Sequence, residues 1–489
     1  MKAPIWLALH LPALALEALP SSPSPSAVVA QGRVLLADAA AQRAGVMAGV
    51  GVSSARALLP ALSLRPRDLA RESAAMQAVA CWAGRFTPRV SLADDTVLLE
   101  IGRCLRLFGG LRALVATIGE SAASLDLSVA LAVAPTPLAA HWLALSGVAV
   151  VCTSPARLAQ HLDPLPVTLL PARAAAALQG FGSTTLGAAR RLPAAALARR
   201  IGADAVCLLA RAFGELPDPR PDFVFPEQFS MSLPLPAAVE HAPVLVFAAR
   251  RLVAALSGWL TARQAGVRRA TLRLRHVSGE TALSLGFSEP IADAGRIERV
   301  LRERLDRLTL TAPVESLCLD ALEVAARPGH DGALFGDAGG ERERMGALRE
   351  RLGARLGETQ VVFPAVCNDH RPECATRCGA QPEASPPLSS ALLSSLLSSL
   401  PPRPLWLLAA PESLREVAGR PYRGGRLDLL TGPERIESGW WDEGERGTET
   451  GAVDVRRDYF IARDAGGRAV WIFRECRAPG GWFLHGFFS

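Results

Sequence analysis

Two adjacent carboxylates, Asp94 and Asp95, stand in residues 90–102 (VSLADDTVLLEIG), whose alternation reads as a β-hairpin. Acids in such a hairpin could hold divalent cations. A pair of Mg²⁺ ions that drives nucleotidyl transfer needs several anionic oxygens, because the metals repel one another and give up water reluctantly. The remaining ligands of such a centre come from a first strand, and here residues 5–11 (IWLALHL) offer Ala8 and His10. A hairpin acid facing an alanine and a neutral imidazole is too little for two ions. His10 reads as a hydrogen-bonded core or cleft residue and not as a metal ligand.

The elements that must position these residues follow from periodicity. Residues 5–11 alternate as a buried strand, 12–19 are helix-like, 70–85 form a longer amphipathic helix leading into the hairpin, and 125–135 read as a further strand. Helical pieces are expected over 36–44 and 53–59, on either side of Gly45-Val46-Met47-Ala48-Gly49. A strand entering a helix, a central hairpin and another βα unit is how a nucleotidyl-transfer palm is laid out. Residues 1–165 are expected to be such a mixed α/β body, emptied of its metal site.

Residues 166–226 turn helical and arginine-rich. Leu178-Gln179-Gly180-Phe181-Gly182 and Thr185-Leu186-Gly187 look like helix–hairpin–helix turns, which can offer backbone N–H groups to a phosphate, with Arg190, Arg191, Arg199 and Arg200 nearby. A plain helical bundle with solvated arginines would show the same pattern. Residues 227–326 give the order βαββαβ: strand 229–235, helix 244–264, hairpin 267–276 with 280–287, a second helix marked by Ile297, Leu301, Leu305 and Leu308, and strand 314–324. On the strand 270–276, Leu272 and Leu274 point one way and Arg273 and Arg275 the other. Arginines on an open sheet face suit a phosphate backbone, although charge alternation also serves a solvated face.

After Arg327 the pattern loosens. Residues 327–404 hold a Gly- and Asp-rich stretch with Leu334 and Phe335, a basic–acidic helix over 341–356, and the low-complexity linker 379–404. Residues 405–489 read as a small β-rich module with a heavy aromatic load that includes Trp440, Trp441, Tyr459, Trp471 and Trp482. Tryptophans in a pair can dock a partner, though such residues more often fill a small domain's own core.

Composition narrows the class. The 489 residues suffice for several domains. The net charge of +6 is modest, and since Lys2 is the single lysine the basic character is almost wholly arginine, clustered on particular segments. Nine cysteines without regular spacing suit a reducing compartment. Cys367, His370, Cys374 and Cys378 lie close together but match no two-plus-two zinc knuckle, so no metal is expected there. The Leu- and Ala-rich start is interrupted by His10, Pro12 and Glu17, which favours strand and helix over a secretory signal. No membrane span and a cytoplasmic location are expected.

These segments, in this order, resemble the ImuB-type proteins, polymerase-like members of the Y family of translesion DNA polymerases. The resemblance rests on AGVMAGVGVSSARALLP (44–60), RFTPRVSL (85–92), LEIGRCLRLFGG (99–110), APTPLAA (134–140), GPERIESGWWD (432–442), RRDYF (456–460) and WIFRE (471–475). It implies a palm and fingers over 1–165, a helical thumb over 166–226, a little finger over 227–326 and a partner-binding tail over 405–489. It also implies a non-catalytic subunit of a damage-induced mutasome. That subunit would bind DNA, the sliding clamp, a RecA-like accessory subunit and an error-prone C-family DNA polymerase that performs synthesis.

Set against an active Y-family enzyme, the first metal-binding Asp falls on Ala8 and the next acidic position on His10, while a Tyr and an Arg that hold the triphosphate fall on Ala39 and Gln42. The Lys-rich segment after the last palm strand is matched by residues 134–148, which lack Lys and Arg. The hairpin acids fall either on Ala93 and Asp94 or on Asp95 and Thr96, so one carboxylate survives in either register. The clamp-binding pentapeptide corresponds to Asp331-Gly332-Ala333-Leu334-Phe335, which keeps the apolar pair and loses the Gln. No cofactor is expected. The alternative is an active, distributive Y-family polymerase that binds Mg²⁺ through Asp38, Asp94 and Glu100.

Overall fold

Strand β1 (Trp6–His10) is buried along its whole length, because it is an inner strand of a four-stranded antiparallel sheet in the computed structural model of the chain. The structure describes residues 4–20, 24–327, 338–367, 369–379, 402–439 and 455–488. They fall into two units, Met1–Arg355 and Leu356–Ser489.

After β1 come the short α1 (Leu14–Glu17) and a small three-stranded sheet, β2 (Ser26–Ala30), β3 (Arg33–Ala37) and β4 (Ser63–Pro66), with α2 (Ala39–Arg43) and α3 (Val52–Leu58) between the last two strands. This fingers-like body has its own core, including Ala27, Val34, Ala41 and Leu62. The helix expected over 36–44 begins only at Ala39. Leu36 and Ala37 pair with Val28 and Ala27 in the sheet, and the Asp38 carboxylate accepts from the Ala41 N–H at 2.8 Å, capping the helix there.

The main sheet is completed by α4 (Leu69–Ala83), β5 (Val90–Ala93), β6 (Thr96–Glu100), α5 (Leu111–Ala122), β7 (Ala130–Ala134) and α6 (Pro137–Leu145), with strand order β5-β6-β1-β7. Alternation divides β1 between two cores. Leu7 and Leu9 pack with α4 and α5, whereas Trp6 and Ala8 join Leu98, Leu138 and Trp142 on the other face. Helices α7 (Pro155–Leu162), α8 (Ala172–Gly180), α9 (Leu186–Arg190), α10 (Ala194–Ile201) and α11 (Ala203–Ala212) continue that second core through Leu178, Leu197 and Leu209.

The βαββαβ body is β8 (Ser230–Val239), α12 (Leu245–Ala262), β9 (Ala265–His276), β10 (Glu280–Ile291), α13 (Ala294–Asp306) and β11 (Val314–Ala326), with strand order β10-β9-β11-β8. Leu272 and Leu274 are fully buried beneath the helices, as their alternation requires. Residues Ala242–Ala262 are the one described helical stretch long and apolar enough to cross a membrane, but most of that stretch is core. Helix α14 (Ala338–Leu356) docks through Glu350, buried against Arg296 at 2.7 Å.

The second unit contains the hairpin β12 (Phe363–Val366) and β13 (Thr376–Gly379). It also contains a six-stranded sheet of β14 (Trp406–Val417), β15 (Arg420–Tyr422), β16 (Asp428–Ser438), β17 (Val455–Arg463), β18 (Ala469–Glu475) and β19 (Gly481–Phe487), ordered β15-β14-β19-β18-β17-β16. Both sheet faces are apolar. One gathers Leu414, Val470, Ile472 and Leu484, the other Ile436, Tyr459, Trp471 and Phe473.

Candidate functional site

The strand position that would carry a metal-binding acid is closed. Ala8 lies opposite Leu98 and Ala132 and is completely buried, on the face where Trp6 and Trp142 also pack. A carboxylate there would stand in an apolar core, where ionisation is strongly opposed.

One strand turn further on, His10 pairs with Thr96 across the ladder. Its Nδ1 lies 3.2 Å from Thr96 Oγ1 and 3.1 Å from Asp95 Oδ1. Asp94 and Asp95 form the two-residue turn between Ala93 and Thr96, Asp94 with φ 48° and Asp95 holding Leu11 N through its carbonyl at 2.9 Å. Both carboxylates occupy the hairpin tip, and the ladder ends at Ala93 and Thr96 before it reaches them. Burial raises the Asp95 carboxyl, but the hydrogen bond and charge of His10, a backbone hydrogen bond and the charge of His141 together hold the group below the ordinary carboxylate range.

His141 on α6 also faces this cluster and was not singled out by its residue type. Burial keeps its imidazole below the usual histidine value against the opposing pull of Asp95. Its buried Nδ1 has no hydrogen-bond partner among the described residues. A lone histidine in an apolar helical segment was the available signal, and its neighbours come from strands distant in sequence.

The acids of the alternative active site are dispersed. Asp38 is committed to its helix cap and to the Ser26 N–H at 2.7 Å. Glu100 is buried opposite Trp6 and accepts from Gly102 N at 3.0 Å. Five residues along β6 separate it from Asp95, about 16 Å at strand rise. Among the described residues, Cys367, His370, Cys374 and Cys378 included, no group of three or more His, Cys, Asp or Glu side chains could hold a metal ion. Ala39 starts α2, and Gln42 donates to Ala37 O at 2.7 Å.

The arginines read as phosphate contacts differ in their freedom. Arg190 is exposed, ion-paired to Glu215 at 2.8 Å and 4.4 Å from the Phe213 ring centroid. Arg191 donates to Gly187 O at 3.1 Å. Arg199 and Arg200 are exposed in the last turn of α10, Arg200 at 5.0 Å over Phe181 in the helix–hairpin turn. Arg273 and Arg275 do project from the open sheet face. Arg273 meets Asp320 on β11 at 2.6 Å and Arg275 lies 3.5 Å from Glu280, so the face carries its own counter-charges.

Leu334 and Phe335, and likewise Trp440 and Trp441, lie outside the described residues. Tyr459, Trp471 and Trp482 are buried in the module's own cores. Tyr459 stacks on Trp471 at 4.1 Å, and its hydroxyl meets His485 Nδ1 at 2.9 Å. Glu373 reaches the same cluster through Arg457 at 2.7 Å.

Residues 17–144 match the impB/mucB/samB family. Protein ImuB of Caulobacter vibrioides, in strains NA1000 / CB15N and ATCC 19089 / CIP 103742 / CB 15, is 29% identical over 473 residues, spanning 91% of this chain and 100% of the relative. Similar solved structures include a Dbh ternary complex (17% identity, TM-score 0.38, covering 65% of this chain and 98% of that one). DinB from Sulfolobus solfataricus is another (16% identity, TM-score 0.37, covering 66% and 100%).

Proposed function

We propose that the chain is a DNA-binding scaffold subunit of a damage-induced translesion mutasome, working in the cytoplasm and performing no nucleotidyl transfer itself. The observation that carries this reading is Ala8, sealed in an apolar core where a metal centre needs an acid, with His10 occupying Asp95 beside it. The exposed arginines of the helical and βαββαβ bodies would hold the phosphate backbone. Leu334 and Phe335 would dock on the sliding clamp. The tail bearing Trp440 and Trp441 would engage the RecA-like accessory subunit or the error-prone C-family polymerase.

The test is co-purification of the full chain with each partner. The parent chain should retain the clamp, the RecA-like subunit and the polymerase. Leu334→Ala with Phe335→Ala should lose the clamp alone, and Trp440→Ala with Trp441→Ala should lose a tail partner alone. Retention of every partner by both double variants would overturn the assignment of these segments.

A further inference from the structure

Helices α4 and α12 touch closely at one end. A Cβ on Gly258 would run into the carbonyl oxygens of Cys81 and Trp82, and a Cβ on Gly84 into that of Gly258 at 2.8 Å. Beside the first ten residues of each helix lies a cavity of about 1270 Å³, bounded also by the edge strand β8 and the turn after α5. Nothing in the polymerase-like reading uses it.

Three arginines with spare donors line this cavity. Arg251 is the most telling, since it is only 9% exposed and no hydrogen bond or ion pair from a described residue reaches its guanidinium. Asp126 and Glu17 act on it only through space, and burial works against its charge. Arg71 turns a buried Nη1 with no hydrogen-bond partner toward the same region, its Nε being held by Asp68 at 3.1 Å. Arg85 is half-buried with its guanidinium 5.4 Å over Phe86, and it too makes no hydrogen bond among the described residues.

The acids that line the cavity are mostly engaged. Glu17 accepts from Ser128 N and Oγ at 2.8 and 2.6 Å. Asp68 caps α4 and binds Arg71, and Glu298 pairs with Arg250 at 2.7 Å. Asp126 and Glu17 reach Arg251 only through space, Asp293 acts likewise on Arg85, and Arg71 keeps an unpartnered Nη1 beyond its pair with Asp68. A buried cation without a partner is costly, so a site built this way favours an anion of more than one charge. Arginine forks match phosphate oxygens in geometry.

We propose that this cavity binds a small organic phosphate of nucleotide size, with its phosphate groups on Arg251, Arg85 and Arg71 and its body against Ala78, Leu235 and Leu252. The volume exceeds what a drug-sized ligand needs. The site is separate from the DNA face, because α12 packs on the side of the βαββαβ sheet opposite Arg273 and Arg275.

Thermal unfolding of the full chain with added ligand tests this. Pyrophosphate and dATP should raise the melting temperature in a concentration-dependent way, and adenosine should not, since a ligand that binds only the folded state stabilises by mass action. Arg251→Met should weaken the apparent affinity for both at least tenfold, while Arg251→Lys should retain part of it. Arg85→Met gives the same readout should Arg251→Met fail to fold. Affinity for primer–template DNA should stay unchanged in these variants. An absent shift with both phosphates, or an equal shift in the methionine variants, would overturn the proposal. A parallel loss of DNA affinity would assign the arginines to DNA and overturn it as well.

Discussion

His10 and Asp95 meet at 3.1 Å at the open end of the palm-like sheet, imidazole to carboxylate. The pairing follows from register. His10 ends β1 opposite Thr96, and a two-residue turn puts Asp95 one position before Thr96. An acid that could serve a metal is thereby turned toward a side chain of its own sheet.

The pairing predicts a pH dependence. Burial alone would raise the folded-state Asp95 carboxyl, but the hydrogen bond and charge of His10, with a backbone hydrogen bond and the charge of His141, together hold it below its ordinary range. Its contribution to stability is therefore fully present above the unfolded value, about 4, and is lost as pH falls through the lower folded value. Asp95→Asn should be less stable than the parent chain at pH 6, and the difference should shrink as pH falls below about 4. Urea unfolding at both pH values measures this.

The close crossing of α4 and α12 predicts intolerance at Gly258. Gly258→Ala should destabilise the chain by about 1–3 kcal/mol, because the added methyl meets backbone that cannot move aside. Gly286→Ala, where a Cβ meets nothing within 4 Å, should stay within about 0.5 kcal/mol of the parent. Denaturant midpoints distinguish the two.

The counter-charge on the open sheet face predicts an asymmetry in DNA binding. Asp320 holds Arg273 at 2.6 Å, with Ser230 donating to the same carboxylate. Asp320→Asn should free Arg273 and tighten binding to primer–template DNA. Arg273→Ala with Arg275→Ala should make the salt dependence of log K shallower by roughly one to two, each phosphate contact contributing about 0.9. A salt titration of all three proteins reads both effects.

Much of this architecture was legible because it is local. Alternation marked β1, the hairpin and the βαββαβ strands, and Leu272 and Leu274 fell on the buried face that their spacing required. What escaped was long-range or turned on one residue. Asp38, by capping α2, assigned Leu36 and Ala37 to a strand although their composition suits a helix equally. The sealing of Ala8 depends on Trp142 and Leu138 from a helix far along the chain. The Arg273–Asp320 pair joins neighbouring strands whose segments lie apart in sequence. That Asp94 and Asp95 both fall in the turn, outside the ladder, depends on the pairing of Ala93 with Thr96, which alternation alone does not specify.

The second unit predicts where an independent fragment must begin. Glu373 binds Arg457 at 2.7 Å and lies 3.9 Å from His485 beneath the aromatic cluster. A fragment of residues 356–489 should unfold cooperatively. A fragment of residues 405–489 should be less stable by about 1–3 kcal/mol, since Arg457 is left half-buried without that partner. Near-UV circular dichroism with urea titration compares them.

Primer extension separates a silent DNA-binding scaffold from a working polymerase. The purified chain, at concentrations where it demonstrably binds primer–template DNA, is incubated with all four deoxynucleotides and Mg²⁺ or Mn²⁺, beside an Asp94→Ala, Asp95→Ala control. Bound DNA and no extension are expected for both proteins. Extension by the parent chain that disappears in the control would contradict the scaffold reading, because the hairpin acids would then be holding catalytic metal despite Ala8 and His10.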